Sequence, residues 1–83
     1  MRESAVEKAF VDAVRKAGGE ALKFTSQSRN GVPDRLVLFF SGKAAFVELK
    51  APGKQMRPLQ RKRRKQLEAP GFPVFCVGRM KQI

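Results

Sequence analysis

The sequence contains no histidine and a single cysteine, Cys76. These two absences exclude a disulfide within the chain, a zinc site built from Cys and His ligands, and any catalysis that depends on an imidazole. Cys76 lies in an apolar segment with no nearby feature that lowers a thiol pKa, so we expect a buried small residue and not a nucleophile. Any chemistry must therefore come from carboxylates, lysines, amides and hydroxyls.

Long apolar runs and acidic residues are also scarce. No apolar stretch approaches the roughly 18 residues of a membrane-spanning helix, and the N-terminus lacks the apolar core of a signal peptide, so we expect a cytoplasmic protein without membrane contact. The length of 83 residues predicts one domain over residues 1–83. With 18 Lys and Arg against 7 Asp and Glu, the net charge of +11 favours a polyanionic partner.

The charges are unevenly distributed along the chain. Most acids lie within the first twenty residues or near the end, which leaves Asp34 and Glu48 alone in the basic middle. The segment 51–67 has no acid and carries Lys54, Arg57, Arg61, Lys62, Arg63, Arg64 and Lys65. It has too few bulky apolar residues to lie in a membrane interface, so nucleic acid is the favoured partner.

Hydrophobic periodicity predicts an α/β fold with the element order α-β-β-β-α-β. An apolar stripe predicts a first helix over 3–16, ended by Gly18 and Gly19, and the basic segment predicts a second helix over 59–69 with Pro58 in its first turn. The expected strands are 20–26, 35–40, 44–49 and 72–77, with Phe24, Phe39, Phe40 and Phe46 as core candidates. A right-handed crossover from the third strand to the fourth gives one parallel pair in a mixed sheet flanked by helices.

The second and third strands form a hairpin that we expect to be centred on Gly42, with a loop over 41–43. This register places Asp34 opposite Lys50 and Glu48 opposite Leu36, all on one face. Two carboxylates at that spacing can hold one Mg²⁺ through oxygen ligands. The alternative is an ordinary Asp34–Lys50 ion pair, with Glu48 at a solvated strand end.

The residues around this hairpin resemble a known family. The segment from Gly31 to Asp34, the strand after it, and Glu48-Leu49-Lys50 followed by Gln60 are similar to the VRR-NUC (virus-type replication-repair nuclease) domain of the PD-(D/E)xK superfamily. The resemblance implies a restriction-endonuclease-like core and Mg²⁺-dependent hydrolysis of phosphodiester bonds, with Mn²⁺ as a substitute. It also implies a homodimer that cuts branched DNA, such as four-way (Holliday) junctions, in a phage or its bacterial host.

The resemblance assigns a role to each matching residue. Asp34 and Glu48 become metal ligands, together with the Leu49 carbonyl. Lys50 orients or activates the attacking water and stabilises charge that develops on the phosphate. Gln60 either hydrogen-bonds the nucleophile or the scissile phosphate, or is a solvent-facing helix residue.

Two residues match the acid that the family carries on its first helix, Glu3 and Glu7. Glu3 falls within the apolar stripe and Glu7 at its edge, while Ser4-x-x-Glu7 also reads as a capping box that gives Glu7 a structural role. Glu3 is therefore preferred as the active-site acid.

The expected DNA-binding residues are Arg29, Lys54, Arg57, Arg61, Lys62, Arg64 and Lys65. Two other interpretations remain open at this point. The chain could be a non-catalytic basic module that binds nucleic acid, with its acids in structural ion pairs, or a basic subunit of a larger protein assembly.

Overall fold

A computed structural model describes residues 3–78 as a four-stranded sheet with two helices. The elements are α1 (Glu3–Lys16), β1 (Glu20–Lys23), β2 (Arg35–Leu38), β3 (Ala44–Leu49), α2 (Pro58–Glu68) and β4 (Val74–Val77). The strands lie in the order β1-β2-β3-β4, with the first three antiparallel and β4 parallel to β3. The predicted element order and mixed sheet are confirmed.

Three of the four strands are shorter than the sequence predicts. Phe24 N–H still donates to the Asp34 carbonyl at 2.8 Å, beyond the end of β1, and Phe46 N–H donates to the Pro73 carbonyl at 2.9 Å, before the start of β4. Pro73 has no N–H to donate to β3, so regular pairing of β4 with β3 begins only after this residue. The third shortened strand is β2, which ends two residues early at the hairpin.

The core lies between α1 and one face of the sheet. It consists of Val6 from α1 and four strand residues that alternate along the chain, Val37, Val47, Leu49 and Val77. Phe10 and Val14 extend the apolar stripe of α1 over this face. Complete burial of each such side chain contributes about 1.5–3 kcal/mol, so this layer fixes α1 on the sheet.

The opposite face of the sheet carries aromatic and polar side chains. The Phe46 ring lies between Phe24 and Phe72, with centroid distances of 5.4 Å and 6.2 Å. Phe39 and Phe40, which the sequence also assigns to the core, are 44% and 92% exposed, and both assignments are wrong. Phe40 lies in the hairpin loop, where no neighbouring strand or helix covers it.

The register of the β2–β3 hairpin differs from the predicted one by two residues. Phe39 pairs with Lys43, so the three-residue loop covers 40–42 and not 41–43. Gly42 has φ +80° and takes the left-handed position that ends such a loop, so it cannot be the loop centre. A shift of two residues keeps every side chain on its predicted face but brings Asp34 opposite Glu48.

No helix in the part of the chain that the structure describes is long and apolar enough to span a bilayer.

Candidate active site

Asp34 and Glu48 face each other at the end of the hairpin remote from the loop. Arg35 pairs with Val47, and the next opposed pair along the ladder is Asp34 and Glu48. The Leu49 N–H donates to Asp34 Oδ2 at 3.0 Å, which fixes the direction of that carboxylate. The predicted convergence of the two acids is therefore present, with Asp34 opposite Glu48 and not opposite Lys50.

Pro33 explains why the Leu49 backbone is available at this position. The hairpin register places Pro33 opposite Leu49, where a regular strand would exchange two hydrogen bonds with it. Proline has no N–H, so it cannot donate to the Leu49 carbonyl oxygen, and the Leu49 N–H bonds the Asp34 side chain instead. Pro33 had no predicted role, although its position directly before the acid is the signal.

Glu48 is almost completely buried, with 2% of its surface exposed. Its Oε2 accepts a hydrogen bond from Gln60 Nε2 at 2.8 Å and lies 3.3 Å from Lys50 Nζ. Its Oε1 is buried and has no partner among residues 3–78. The alternative of an Asp34–Lys50 ion pair with a solvated Glu48 is thus wrong, because Lys50 pairs with Glu48 inside the protein.

The environment of Glu48 favours its neutral form. Burial raises the pKa of Glu48, the Asp34 carboxylate raises it further, and Glu3 acts in the same direction, while the hydrogen bond and charge of Lys50 oppose the shift. A buried carboxylate with a like charge opposite it is unfavourable unless a cation compensates both. Lys50 already bonds Glu48, but it does not offset the upward shift of the Glu48 pKa.

These donors suit a hard divalent cation. Oε1 of Glu48 is a buried oxygen without a partner, Asp34 supplies a second carboxylate, and the Leu49 carbonyl lacks its ladder donor. Within residues 3–78, no three His, Cys, Asp or Glu side chains form a cluster suited to a metal. Mg²⁺ is commonly held by one or two carboxylates and keeps several waters, so this donor set fits it.

Gln60 is buried and points into the site from α2. It is 5% exposed; its Nε2 donates to Glu48 Oε2, and its Oε1 accepts from the Arg57 N–H at 2.8 Å. The alternative of a solvent-facing Gln60 is wrong. The amide is engaged at both ends, so in this structure it orients Glu48 and caps the first turn of α2.

The two candidate acids of α1 have different environments. Glu7 forms an ion pair with Arg35, and Arg35 Nη1 also donates to the Ala21 carbonyl at 3.2 Å. Ser4 lies inside α1, so the predicted capping box is not formed. The charge of Glu3 contributes to the raised pKa of Glu48, so Glu3 is the α1 acid whose charge acts on this carboxyl.

The loop before Asp34 packs closely against α2. Gly31 has φ +80°, and a Cβ at this position would lie 2.7 Å from Leu59 Cγ. Arg63 Nε donates to the Asn30 carbonyl at 2.7 Å. These contacts hold the loop, and hence the start of the Asp34 segment, in a fixed position.

Some of the expected DNA-binding side chains already bond other residues, and the rest are exposed. Arg64 lies 3.3 Å from Glu68 in an ion pair, and Arg29 bonds Gln66. The other five are exposed, namely Lys54, Arg57, Arg61, Lys62 and Lys65.

Cys76 is half-buried beside Glu48 in the β3–β4 register, and burial raises the pKa of its thiol. A thiol with a raised pKa is a poor nucleophile, as expected.

Comparison with known proteins agrees with this geometry. A family model described as the VRR-NUC domain matches residues 2–79. A solved structure described as "VRR_NUC domain" superposes with a TM-score of 0.89 at 32% identity, covering 96% of this chain and 87% of that one. "Putative nuclease p44" of Acyrthosiphon pisum secondary endosymbiont phage 1 is 50% identical over 77 residues, which are 93% of this chain and 83% of that protein.

A basic mixed α/β domain with opposed carboxylates and a lysine at one strand end defines a nuclease-type domain. The chain belongs to the VRR-NUC domain family.

Proposed function

We propose that this nuclease domain is a Mg²⁺-dependent, structure-selective DNA endonuclease that hydrolyses phosphodiester bonds in branched DNA. The observation that carries the proposal is the buried Glu48, whose Oε1 has no partner in the described residues and whose charge, with that of the opposed Asp34, is only partly offset by Lys50. Buried acids that are only partly compensated are unfavourable for folding, so their presence points to a function that uses them.

Each residue of the site has a distinct part in this proposal. Asp34, Glu48 and the Leu49 carbonyl would hold Mg²⁺, which when bound neutralises phosphate charge and lowers the pKa of water. Lys50 places its ammonium beside Glu48, where it orients the attacking water and stabilises the charge that grows on the phosphate. Gln60 keeps Glu48 in position, and Glu3 is the further acid within electrostatic reach.

The proposal is tested by a cleavage panel with single-stranded, flap, duplex and four-way-junction DNA. Wild-type protein should cut in Mg²⁺ or Mn²⁺ and stop in EDTA, with the junction as the preferred substrate. Glu48→Gln and Asp34→Asn should lose cleavage but bind DNA as well as or better than the wild type, because each removes a negative charge that faces phosphate. Glu20→Gln, at an exposed acid on β1, is the matched control and should cut normally.

Two results would contradict the proposal in different ways. Cleavage by purified Glu48→Gln at the wild-type rate would reject the assigned site. Tight DNA binding by the wild type without metal-dependent cleavage of any substrate would favour the non-catalytic binding module, in which Asp34 and Glu48 have only structural roles.

A homodimer is part of the proposed function. An apolar cleft of about 350 Å³ lies between α1, the hairpin and β4, and its lining includes Phe10, Val14, Phe39 and Phe75. Phe39 and Phe75 are 44% and 54% exposed. This surface lies away from the basic α2, so two copies can meet there without repulsion between their basic helices. Two active sites related by a two-fold axis can cut two strands of a symmetric junction.

A further inference from the structure

Two arginines on different elements converge on one neutral oxygen beside the candidate active site. Arg29, on the loop before Asp34, donates from Nη1 to Gln66 Oε1 at 3.1 Å. Arg63, on α2, donates from Nη1 to the same oxygen at 2.8 Å. The two guanidinium groups are therefore held side by side although their charges repel each other.

Neither of these charges is balanced by an acid in the described residues. The ion pairs within residues 3–78 are Arg35–Glu7, Lys50–Glu48 and Arg64–Glu68. The acceptors of Arg29 and Arg63 are the Gln66 amide and, for Arg63, the Asn30 carbonyl, and both acceptors are neutral. The hydrogen bonds thus fix the direction of two guanidinium groups and leave both charges available.

This arrangement matches the chemistry of a phosphate group. A guanidinium group is a planar fork of donors that fits two phosphate oxygens, and its remaining N–H groups can bind while others hold it in place. We propose that Arg29, Arg63 and Gln66 form a phosphate clamp, in which the two arginines bind one phosphate of the DNA strand and Gln66 orients them. This inference rests on the proposed function, because that function makes DNA the source of the phosphate.

The position of the phosphate clamp relates it to the cleaved bond. Arg63 follows Gln60 by three residues, a rise of about 4.5 Å along α2, and Gln60 bonds Glu48. Arg29 precedes Asp34 by five residues on the loop that packs against α2. The clamp therefore binds a phosphate close to the scissile one on the same strand, and it sets which bond reaches the carboxylates.

Gln66→Glu separates a phosphate clamp from a purely structural link. A carboxylate at this position strengthens both bonds to the arginines and keeps the loop on α2, but it neutralises the charge that phosphate requires. A structural role therefore predicts no greater loss of DNA binding than the same charge causes elsewhere beside α2, whereas the clamp predicts a larger loss. Gln55→Glu adds the same charge at an exposed position on the loop directly before α2, outside the hydrogen bonds of the clamp, and is the control.

The test measures binding of a fluorescent DNA duplex in EDTA over a range of NaCl concentrations. The clamp predicts that Arg29→Ala, Arg63→Ala and Gln66→Glu each make the slope of log K against log[salt] less steep, by up to about 1, because the clamp neutralises one phosphate. Gln66→Glu should unfold at or above the wild-type temperature. Lys16→Ala removes an exposed charge from the end of α1 and should leave the slope unchanged.

Equal salt slopes for Gln66→Glu and Gln55→Glu would overturn the phosphate clamp. If Gln66→Glu does not fold, Arg29→Ala decides the question, because Arg29 is exposed and its loss should not prevent folding. A salt slope for Arg29→Ala equal to that of the wild type would reject the clamp. The measurement involves no cleavage. A wild-type protein that binds DNA but does not cut it in Mg²⁺ would therefore overturn the nuclease proposal and leave the result for the clamp standing.

Discussion

Single residues hold the two carboxylates in place from several directions. The backbone of Leu49 bonds Asp34, the amide of Gln60 bonds Glu48, and Lys50 lies against the same Glu48 oxygen. Gly31 acts one step further away, because it lets the loop before Asp34 approach Leu59. The site thus depends on backbone geometry as much as on its charged side chains.

Replacement of Gly31 by alanine tests the loop–helix contact. Gly31→Ala should destabilise the protein by about 1–3 kcal/mol, because the new Cβ needs φ +80° and meets Leu59 Cγ at 2.7 Å. Gly53→Ala is a matched control with φ +83° and open space around the new Cβ. Chemical denaturation measures both free energies, and equal losses would show that the Leu59 contact adds nothing to the backbone cost.

Neutralisation of Glu48 should stabilise the protein in the absence of metal. The pKa of Glu48 is raised above its ordinary value of 4.5, so the folded protein binds more protons than the unfolded chain between the two pKa values. The free energy of unfolding should therefore fall as the pH rises through this window. Glu48→Gln should unfold at a higher temperature than the wild type at neutral pH in EDTA, with a weaker pH dependence.

Addition of Mg²⁺ should raise the unfolding temperature of only one of these two proteins. It should raise the unfolding temperature of the wild type, because a ligand that binds only the folded state stabilises it, and should leave that of Glu48→Gln nearly unchanged. A wild-type unfolding temperature that does not respond to Mg²⁺ would contradict the assignment of Glu48 as a metal ligand.

At the scale of elements, α2 has one face toward the active site and another toward solvent. Gln60 is buried, whereas Arg61, Lys62 and Lys65 are exposed, and Arg64 is paired with Glu68. Because the basic side chains surround the helix, a single DNA backbone cannot contact all of them. The exposed residues are the ones expected to carry the electrostatic part of binding.

The salt dependence of DNA binding measures how many of these residues contact phosphate. If about four do so, the slope of log K against log[salt] should be roughly −3 to −4, and each true contact changed to alanine should reduce it by about one. Arg64→Ala should have the smallest effect of the α2 set, since Glu68 already offsets its charge. Unchanged slopes for Arg61→Ala, Lys62→Ala and Lys65→Ala would show that α2 is not the DNA-binding surface.

The elements could be predicted from the sequence because periodicity and glycine or proline positions are local signals. The register of the hairpin could not, because it depends on which loop residue adopts the left-handed conformation, and Gly42 was placed one position too early in the loop. The direction of the Gln60 side chain could not be predicted either, because α2 carries charged residues on nearly every side. Only packing against β3 shows that its amide points at Glu48.

For the whole molecule, the distribution of charge and apolar surface predicts how two copies associate. The cleft between α1 and β4 is almost entirely apolar, and the basic helix lies elsewhere. Light scattering in moderate salt should give twice the mass of 9.3 kDa. Phe75→Asp should yield the monomer, while Leu22→Ser, which replaces an exposed leucine on β1, should remain dimeric.

A wild-type mass near that of one chain would refute the dimer. If the dimer is found, a four-way junction provides the functional test, because paired incision requires both active sites in one encounter. Uncoupled single cuts by a dimeric protein would show that association serves stability and not symmetric cleavage.

The length of the hairpin loop sets the register of an active site about 20 Å away, since Phe40 lies six residues after Asp34 and an extended chain rises about 3.3 Å per residue. One residue inserted into the loop over 40–42 and absorbed by the strands would turn Glu48 to the other side of the sheet, and two would slide it past Asp34. Substitutions at this exposed tip should therefore be tolerated when they conserve its length and keep Gly42 in its left-handed position. Insertions and deletions there should be selected against as strongly as substitutions of the carboxylates themselves.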